Sequence, residues 1–465
     1  MRSTIFANSG LLALACLAPG CGDGAPARHP DVVLITVDTL RADHLGIYGY
    51  ERPTTPHLDR WFAPGNGGAV FERSWSTEAS TSPSVASILS GELPQEHGVR
   101  LFYQVLPEET RLITDRLPPE YQTAAFVSNM VLTDEAIGFA SRFDHYDDFV
   151  DERESERKVF ERTAKRTTEA ALVWMVRELD PERPLFLWVH YIDPHGPYAA
   201  PEGAPARFEH EGATTIDPAR VPSYQRDPDL TDGEVYVDRY DEEIAFVDGE
   251  IDKLLSVFSE LRSLDDSLLL FTSDHGESMM EHEKWFTHGY HVYDEITRVP
   301  FLLRGPGVEA GRFDVPVTSL DVAPTILGYA GGAVPLGMRG ADLRRGSQLD
   351  PDRTVYAEAA GKDCQWRMAV RGTRKWMVQL RGPLRVVLET RLYDLAADPD
   401  ELEPLAWTEG EAPAEALLEL VRTDPDPSGV PERHRKGIRI GSPKVSPDAD
   451  EEARQALEDL GYVDE

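Results

Sequence analysis

Asp38 closes the apolar run DVVLITVD, Asp193 and His195 lie at the end of PLFLWVHYIDPH, and Asp274 and His275 follow SLLLFTS. Carboxylates and imidazoles are the side chains that hold divalent cations. In an open α/β sheet, groups at the downstream ends of the strands meet in one crevice, however far apart they are in the chain. Any one of them alone could cap a helix or close a turn. Three strands ending in Asp, Asp-x-His and Asp-His point instead to a metal centre. A fourth stretch, STSPSVASILSG from Ser80 to Gly91, supplies hydroxyls. Here Pro83 is expected at the first position of a helix, where its missing N–H costs nothing, with Ser82 capping from outside. That places Thr81 at a helix N-terminus, where backbone amides and the dipole favour phosphate or sulfate. A threonine hydroxyl is a weak nucleophile until a metal coordinates its oxygen. Ser84 and Ser87 read as helix-surface or packing residues.

The elements that must carry these groups are legible as strand-length apolar runs at 31–38, 123–129, 184–193, 267–274 and 298–305. Continuous apolar runs belong to strands buried on both faces of a parallel sheet. Between them, Tyr240, Ile244, Val247, Ile251, Leu254 and Phe258 recur at spacings of three and four, one face of a packed helix. The predicted fold is α/β, a mostly parallel sheet sandwiched by helices. Ala199 to Gly233, rich in Pro, Ala and Asp, reads as a long surface loop or lid. Beyond TSLDVAPTILGYAGG, the pieces WRMAVRG, KWMVQL, RVVLE and RLYDL predict a small antiparallel C-terminal subdomain. The expected organisation is a leader and linker over 1–29, a catalytic domain over 30–345, a small α+β subdomain over 346–408 and an acidic tail over 409–465. The tail ends in a short helix, DEEARQALEDLGYV.

The chain of 465 residues carries 47 basic and 82 acidic side chains, a formal charge of −35. Nucleic acid is excluded as a partner by that balance, because phosphate backbones are bound by clustered Lys and Arg. An anionic substrate then needs a local positive charge, which a bound metal supplies. The opening MRSTIFANSGLLALACLAPGCGDGAP has an early Arg2, a short apolar stretch from Leu11 to Ala18 and small residues before Cys21. It reads as an export signal. LAPGC at Cys21 resembles a bacterial lipoprotein processing site, with LALAC at Cys16 as the alternative. Export to the periplasm or outer surface, with membrane attachment through a lipid on Cys21, is expected. Cys364 would then remain as a lone thiol without a disulfide framework.

From Asp31 to Leu402 the motifs VDTLRADHLGIYGY, TSPSVASILSGELPQEHGV, HYIDPHGPY, TSDHGE, YDEITRVPFLLRGPG, DVAPTILGYAG and LYDLAADPDE occur in the order in which they resemble the sulfatase family of the alkaline phosphatase superfamily. The familiar members carry a Cys or Ser, converted to formylglycine, at the head of C/S-x-P-S-R. Here Thr81 stands at the head and Val85 at the arginine, Thr39 replaces the second Asp, and the lysine–histidine motif has no clear counterpart near AAFVSNMVL. Threonine has no primary carbon that can become an aldehyde, so formylglycine is not expected. Threonine is the nucleophile in superfamily relatives that act on phosphodiesters.

The resemblance implies a metal held by Asp38, Thr81, Asp274 and His275, with Zn²⁺ or Mn²⁺ favoured over Ca²⁺ by the imidazole. It leaves Asp193, His195 and His288 for a second metal or for substrate oxygens, with His195 or His288 protonating the leaving group. Asp193 and Ser82 are the expected substrate-binding residues. His190, His282 and His291 read as histidines near the site mouth, and Arg41, Asp43 and His44 as second-rank or ordinary loop residues. The expected activity is hydrolysis of phosphate or sulfate esters of a small molecule, lipid or glycan, phosphoryl esters ahead of sulfuryl ones. Two other readings share these residues: a fold that has lost turnover and kept binding at the cell envelope, and a transferase acting on envelope lipids or glycans.

Overall fold

Val33 and Ile35 of the first strand face one apolar layer, while Val32 and Leu34 face another. This is why the run shows no polar alternation. The computed structural model describes residues 29–150, 162–200, 204, 208–360, 365–382, 385–407 and 410–424. The leader with Cys16 and Cys21, Cys364 and the DEEARQALEDLGYV segment lie outside the described residues.

The eight strands of the main sheet are β1 (Val32–Val37), β2 (Gly68–Trp75), β3 (Gln122–Val127), β4 (His145–Asp147), β5 (Leu185–Tyr191), β6 (Leu268–Ser273), β7 (Phe301–Arg304) and β8 (Gly311–Thr318). They lie in the order β4-β3-β5-β1-β6-β7-β2-β8. β7 pairs antiparallel with both of its neighbours, and every other pairing is parallel. Helices Ala164–Glu178 and Gly233–Leu261 cover one face; Thr81–Ser90 and Val322–Ala330 cover the other. The six-residue stripe from Tyr240 to Phe258 is buried along its whole length. β2, β4 and β8 were not anticipated; the GAVFERSW of β2 mixes charged and apolar residues because Glu72 and Arg73 in its middle are only partly covered.

A second, antiparallel sheet holds β9 (Val355–Ala360), β10 (Gln365–Arg371), β11 (Arg374–Arg381) and β12 (Val386–Asp394), in the order β12-β11-β10-β9. RVVLE and RLYDL, expected as separate pieces, form one strand whose register shifts opposite Gln379 and Leu380. The acidic region after residue 409 begins with a helix, Ala412–Thr423, that was not anticipated. Its Ala414, Leu417 and Val421 pack on Trp376, Leu380 and Leu392. Three apolar residues at helical spacing are enough for that face, although the surrounding composition is acidic.

Candidate active site

The parallel register of β5, β1 and β6 sets the geometry. Val37 lies opposite Tyr191 on one side and Ser273 on the other, so the next residues, Asp38 and Asp274, emerge side by side. Thr36 lies opposite His190, and Thr36 Oγ1 meets His190 Nδ1 at 2.8 Å. β3 adds Asn129, whose Nδ2 donates to Asp38 Oδ2 at 2.5 Å. Beyond β1 the chain turns sharply: Thr39 takes φ +54, a region that strains a β-branched residue by about 1–3 kcal/mol. Tyr240 holds the turn, its hydroxyl donating to Thr39 O at 2.7 Å and accepting from Arg41 N at 3.0 Å.

The helix carrying the hydroxyls begins at Thr81, with Ser80 as its N-cap. This corrects the expected start: Ser82 lies inside the first turn and Pro83 is the third helical residue. Proline fits there because the first four amides of a helix have no acceptor within it. The helix is tied to the sheet by Ser84 Oγ, which donates to Asp274 O at 2.6 Å. It ends at Gly91, whose φ of +73 would strain any side chain and which packs tightly on Ala323 and Met338.

Thr81 Oγ1 lies 3.3 Å from Asp38 Oδ2 and 3.3 Å from His275 Nε2. The same His275 Nε2 is 3.5 Å from Asp38 Oδ1 and 3.5 Å from Asp274 Oδ2. Its Nδ1 is taken up by Gly276 O at 2.9 Å, which orients the ring. Gly276 is required here: a Cβ would sit 2.4 Å from Glu295 O. His195 and His288 close the group, their ring centres 5.2 Å apart, with His288 4.5 Å from His275. Four of the expected metal or nucleophile positions, Asp38, Thr81, Asp274 and His275, thus converge with His195 and His288.

Asp193 and Ser82 do not join them. The Asp193 carboxylate accepts the Ala164 amide at 2.8 Å at the start of a helix, and the Ser82 hydroxyl donates to Val131 O at 3.2 Å. Arg41 pairs with Asp43 and Glu281, His44 with Asp241, and His282 with Glu295. These pairs brace the surrounding loops.

Three residues at the site were not singled out for it. His190 and Asp38 and Asp274 offer ligand atoms that all lie within 4.8 Å of one another. The signal was a histidine inside the apolar run FLWVHY, where a strand buried on both faces has no reason to carry one. Asn129 and Glu277 are the others. Glu277 Oε1 lies 3.1 Å from His288 Nδ1, and its Oε2 accepts from Tyr198 OH at 3.1 Å.

Burial governs the protonation of this pocket. It pushes the Asp274 carboxyl well above its ordinary range, reinforced by the neighbouring charge of Asp38. Burial acts on Asp38 in the same direction but is outweighed by His190, His195 and His275, which hold that carboxyl low. Burial takes His275 down to about 3 and also lowers His195 and His288. It lifts Glu277 to about 7. Among the described residues no Lys or Arg pairs with Asp38 or Asp274, whose ionic contacts are to His190 and His275. Asp274 Oδ2 and His190 Nε2 are buried without a hydrogen bond. Orphaned atoms of this kind cost about 1–3 kcal/mol each unless something satisfies them. The donor set of two carboxylates, two imidazole Nε2 atoms and a hydroxyl fits a divalent metal.

Replacing His190 by glutamine is expected to weaken metal binding by about 10–100-fold, the range for disturbing a metal's immediate support. Titration of metal-free protein with Zn²⁺ or Mn²⁺ checks it; unchanged affinity would make His190 a packing residue only.

The sulfatase family model matches residues 30–333, most of the chain and both halves of this site. The chain belongs to the sulfatase family of ester hydrolases. A choline-sulfatase of Rhizobium meliloti is 30% identical over 262 residues, 50% of this chain and 49% of its own length. The match to an arylsulfatase of Clostridium perfringens runs further, 25% identical over 82% of this chain and 91% of that protein. Among solved structures, a putative sulfatase from Bacteroides thetaiotaomicron superposes with a TM-score of 0.67 at 19% identity, covering 91% of this chain and 96% of the other. A phosphonate monoester hydrolase of Agrobacterium radiobacter does so with a TM-score of 0.62 at 18% identity, over 84% and 94%. Both share the fold of this sulfatase-family chain, the mixed sheet between helices with a second sheet behind it.

Proposed function

We propose that this sulfatase-family chain is a metal-dependent hydrolase of phosphate or sulfate esters that uses Thr81 as its nucleophile, with phosphoryl esters preferred. The observation that carries the reading is the position of Thr81 Oγ1, 3.3 Å from both Asp38 Oδ2 and His275 Nε2 at the start of a ten-residue helix. Asp38, Asp274, His190 and His275 would hold the cation. When bound, it supplies positive charge that acidifies the hydroxyl and neutralises the nonbridging oxygens of the ester. Imidazole donors favour Zn²⁺ or Mn²⁺.

The chain's own groups do the rest. Asp38 Oδ2 orients the Thr81 hydroxyl and takes up its hydrogen bond. The helix N-terminus favours the anionic group to be attacked. As the Oγ1–phosphorus bond forms in line, the Thr81 proton passes to Asp38 Oδ2, the bond to the leaving alcohol breaks, and His195 or His288 donates the proton that alcohol needs. Glu277, lifted to about 7 by burial, faces His288 Nδ1 at 3.1 Å, so a proton carried by that carboxyl passes to Nδ1 as Nε2 gives its own to the alcohol. Water then hydrolyses the threonine ester and regenerates the hydroxyl. The preference for phosphorus follows from the side chain: threonine cannot become the aldehyde that sulfate-ester chemistry in the family employs. The likeness to a phosphonate monoester hydrolase supports a fold that admits phosphorus esters.

A panel of chromogenic phosphate monoesters, phosphodiesters, phosphonates and sulfates, each with Zn²⁺, Mn²⁺ and Ca²⁺, tests the preference. The expected order has an aryl phosphodiester or phosphonate at least about tenfold above the matching sulfate in kcat/KM, about 1.4 kcal/mol of transition-state discrimination. A sulfate ester in first place would reverse it. Export and a lipid on Cys21 complete the proposal; the mass of the mature N-terminal peptide decides between acylated and free cysteine.

A further inference from the structure

A serine at an N-cap normally turns its hydroxyl onto the amide of the second or third helical residue. Ser80 does not, because the third residue is Pro83, which has no N–H. The hydroxyl donates backward instead, to Glu78 Oε2. Glu78 is almost fully buried, 1% exposed. Its other oxygen, Oε1, accepts the amide of Ala360 in β9 at 3.0 Å. The backbone around it is stitched to the same strand. Glu358 N donates to Thr77 O at 2.9 Å, and Ala79 N donates to Glu358 O at 3.1 Å. The segment leading into Thr81 is therefore joined to the edge of the C-terminal sheet by a parallel bridge between Glu78 and Glu358.

That edge is itself anchored. Arg100, ten residues past the nucleophile helix, grips Glu358 through two bonds of 2.9 Å, and Arg100 and Arg367 both bind Asp424 at the end of the last helix. All four of these groups are buried.

We infer that Glu78 is a positioning residue for catalysis: by joining β9 to the N-cap serine it fixes where the Thr81 hydroxyl points. The C-terminal sheet is then a working part of the active site through the placement of the nucleophile. The inference rests on the reading of Thr81 as nucleophile. Burial lifts the Glu78 carboxyl to about 8. A glutamine, neutral and of the same length, can accept the Ala360 amide and remain bonded to Ser80.

The test is kcat, KM and bound metal for the full chain and for Glu78→Ala and Glu78→Gln, assayed with Mn²⁺ or Zn²⁺ on an aryl phosphodiester. Glu78→Ala is expected to lose about 10–100-fold in kcat, the cost of displacing a reacting group by about 1 Å. KM and metal per chain should stay within about twofold of the parent. Glu78→Gln should recover kcat to within about threefold of the parent. A Glu78→Ala protein that melts lower but keeps its kcat would make the residue merely structural and overturn the inference. If Glu78→Ala does not fold, Ser80→Ala decides: a drop of several fold in kcat at constant KM supports the inference, and an unchanged kcat overturns it. Thr81→Ala in the same assay separates the two readings. Its inactivity beside a normal Glu78→Ala removes only the positioning role, whereas an active Thr81→Ala removes the nucleophile and this inference with it.

Discussion

Thr81→Ala is expected to lower kcat by at least about 10³-fold while leaving the fold and the bound metal in place. The large kinetic effect follows from chemistry: no second hydroxyl shares the position, since Ser82 is turned away to Val131 O and Ser80 to Glu78. The small structural effect follows from geometry. The Thr81 hydroxyl makes only long contacts of 3.3–3.5 Å in the structure, and alanine has the better helix propensity. Its loss should change stability by no more than about 1 kcal/mol. Thr81→Ser, which keeps the hydroxyl without the methyl, is expected to retain measurable turnover. Steady-state kinetics and metal analysis on the three proteins check the set.

Asp274→Asn is expected to have the second-largest effect, this time through the metal. The Asp274 carboxyl is buried, lacks a hydrogen bond at Oδ2 and is pushed toward its neutral form by burial and by Asp38. A divalent cation reverses that balance, because it pairs with the charged form. Asparagine removes the charge the cation needs. Metal affinity should fall by more than about tenfold and turnover by at least about 10²-fold. Stability should separate the states. The parent protein gains about 2.7 kcal/mol when metal is present at a hundred times its dissociation constant. The variant should show much less of that gain, yet without metal it should be no less stable than the parent, since asparagine replaces a carboxyl that burial and Asp38 already hold toward its neutral form. Melting curves with and without a chelator check this; a variant whose metal-dependent shift equals the parent's would place the cation elsewhere.

The features that could be read from the chain are those fixed by local pattern. Asp38 and Asp274 stand directly after apolar runs, so parallel pairing of those strands brings them together without further information. Thr81 follows from the same logic with helix-end chemistry. What escaped depends on tertiary contact. His190 is the last residue but one of β5, inside an apolar run, and only the register with Thr36 reveals that it faces Asp38. Asn129 follows a strand two places away in the sheet. Glu277 matters because Tyr198 and His288 fold onto it. The capping pattern misled by two residues because proline is compatible with any position in the first helical turn, and only the position of Ser80 on the edge of β9 settles which residue caps. The Ala412–Thr423 helix was hidden by an acidic composition that its three core-facing residues override.

A covalent bond to the threonine is the claim on which the account stands. Quenching the enzyme in acid during turnover of a phosphodiester, then weighing its peptides, tests it directly. The account predicts one adduct on the peptide from the start of the helix, a phosphoryl group still carrying the ester alcohol that has not left, localised to Thr81 by fragmentation and absent from Thr81→Ala. The same group found on Ser82 or on a histidine, with Thr81 unmodified throughout, would contradict it.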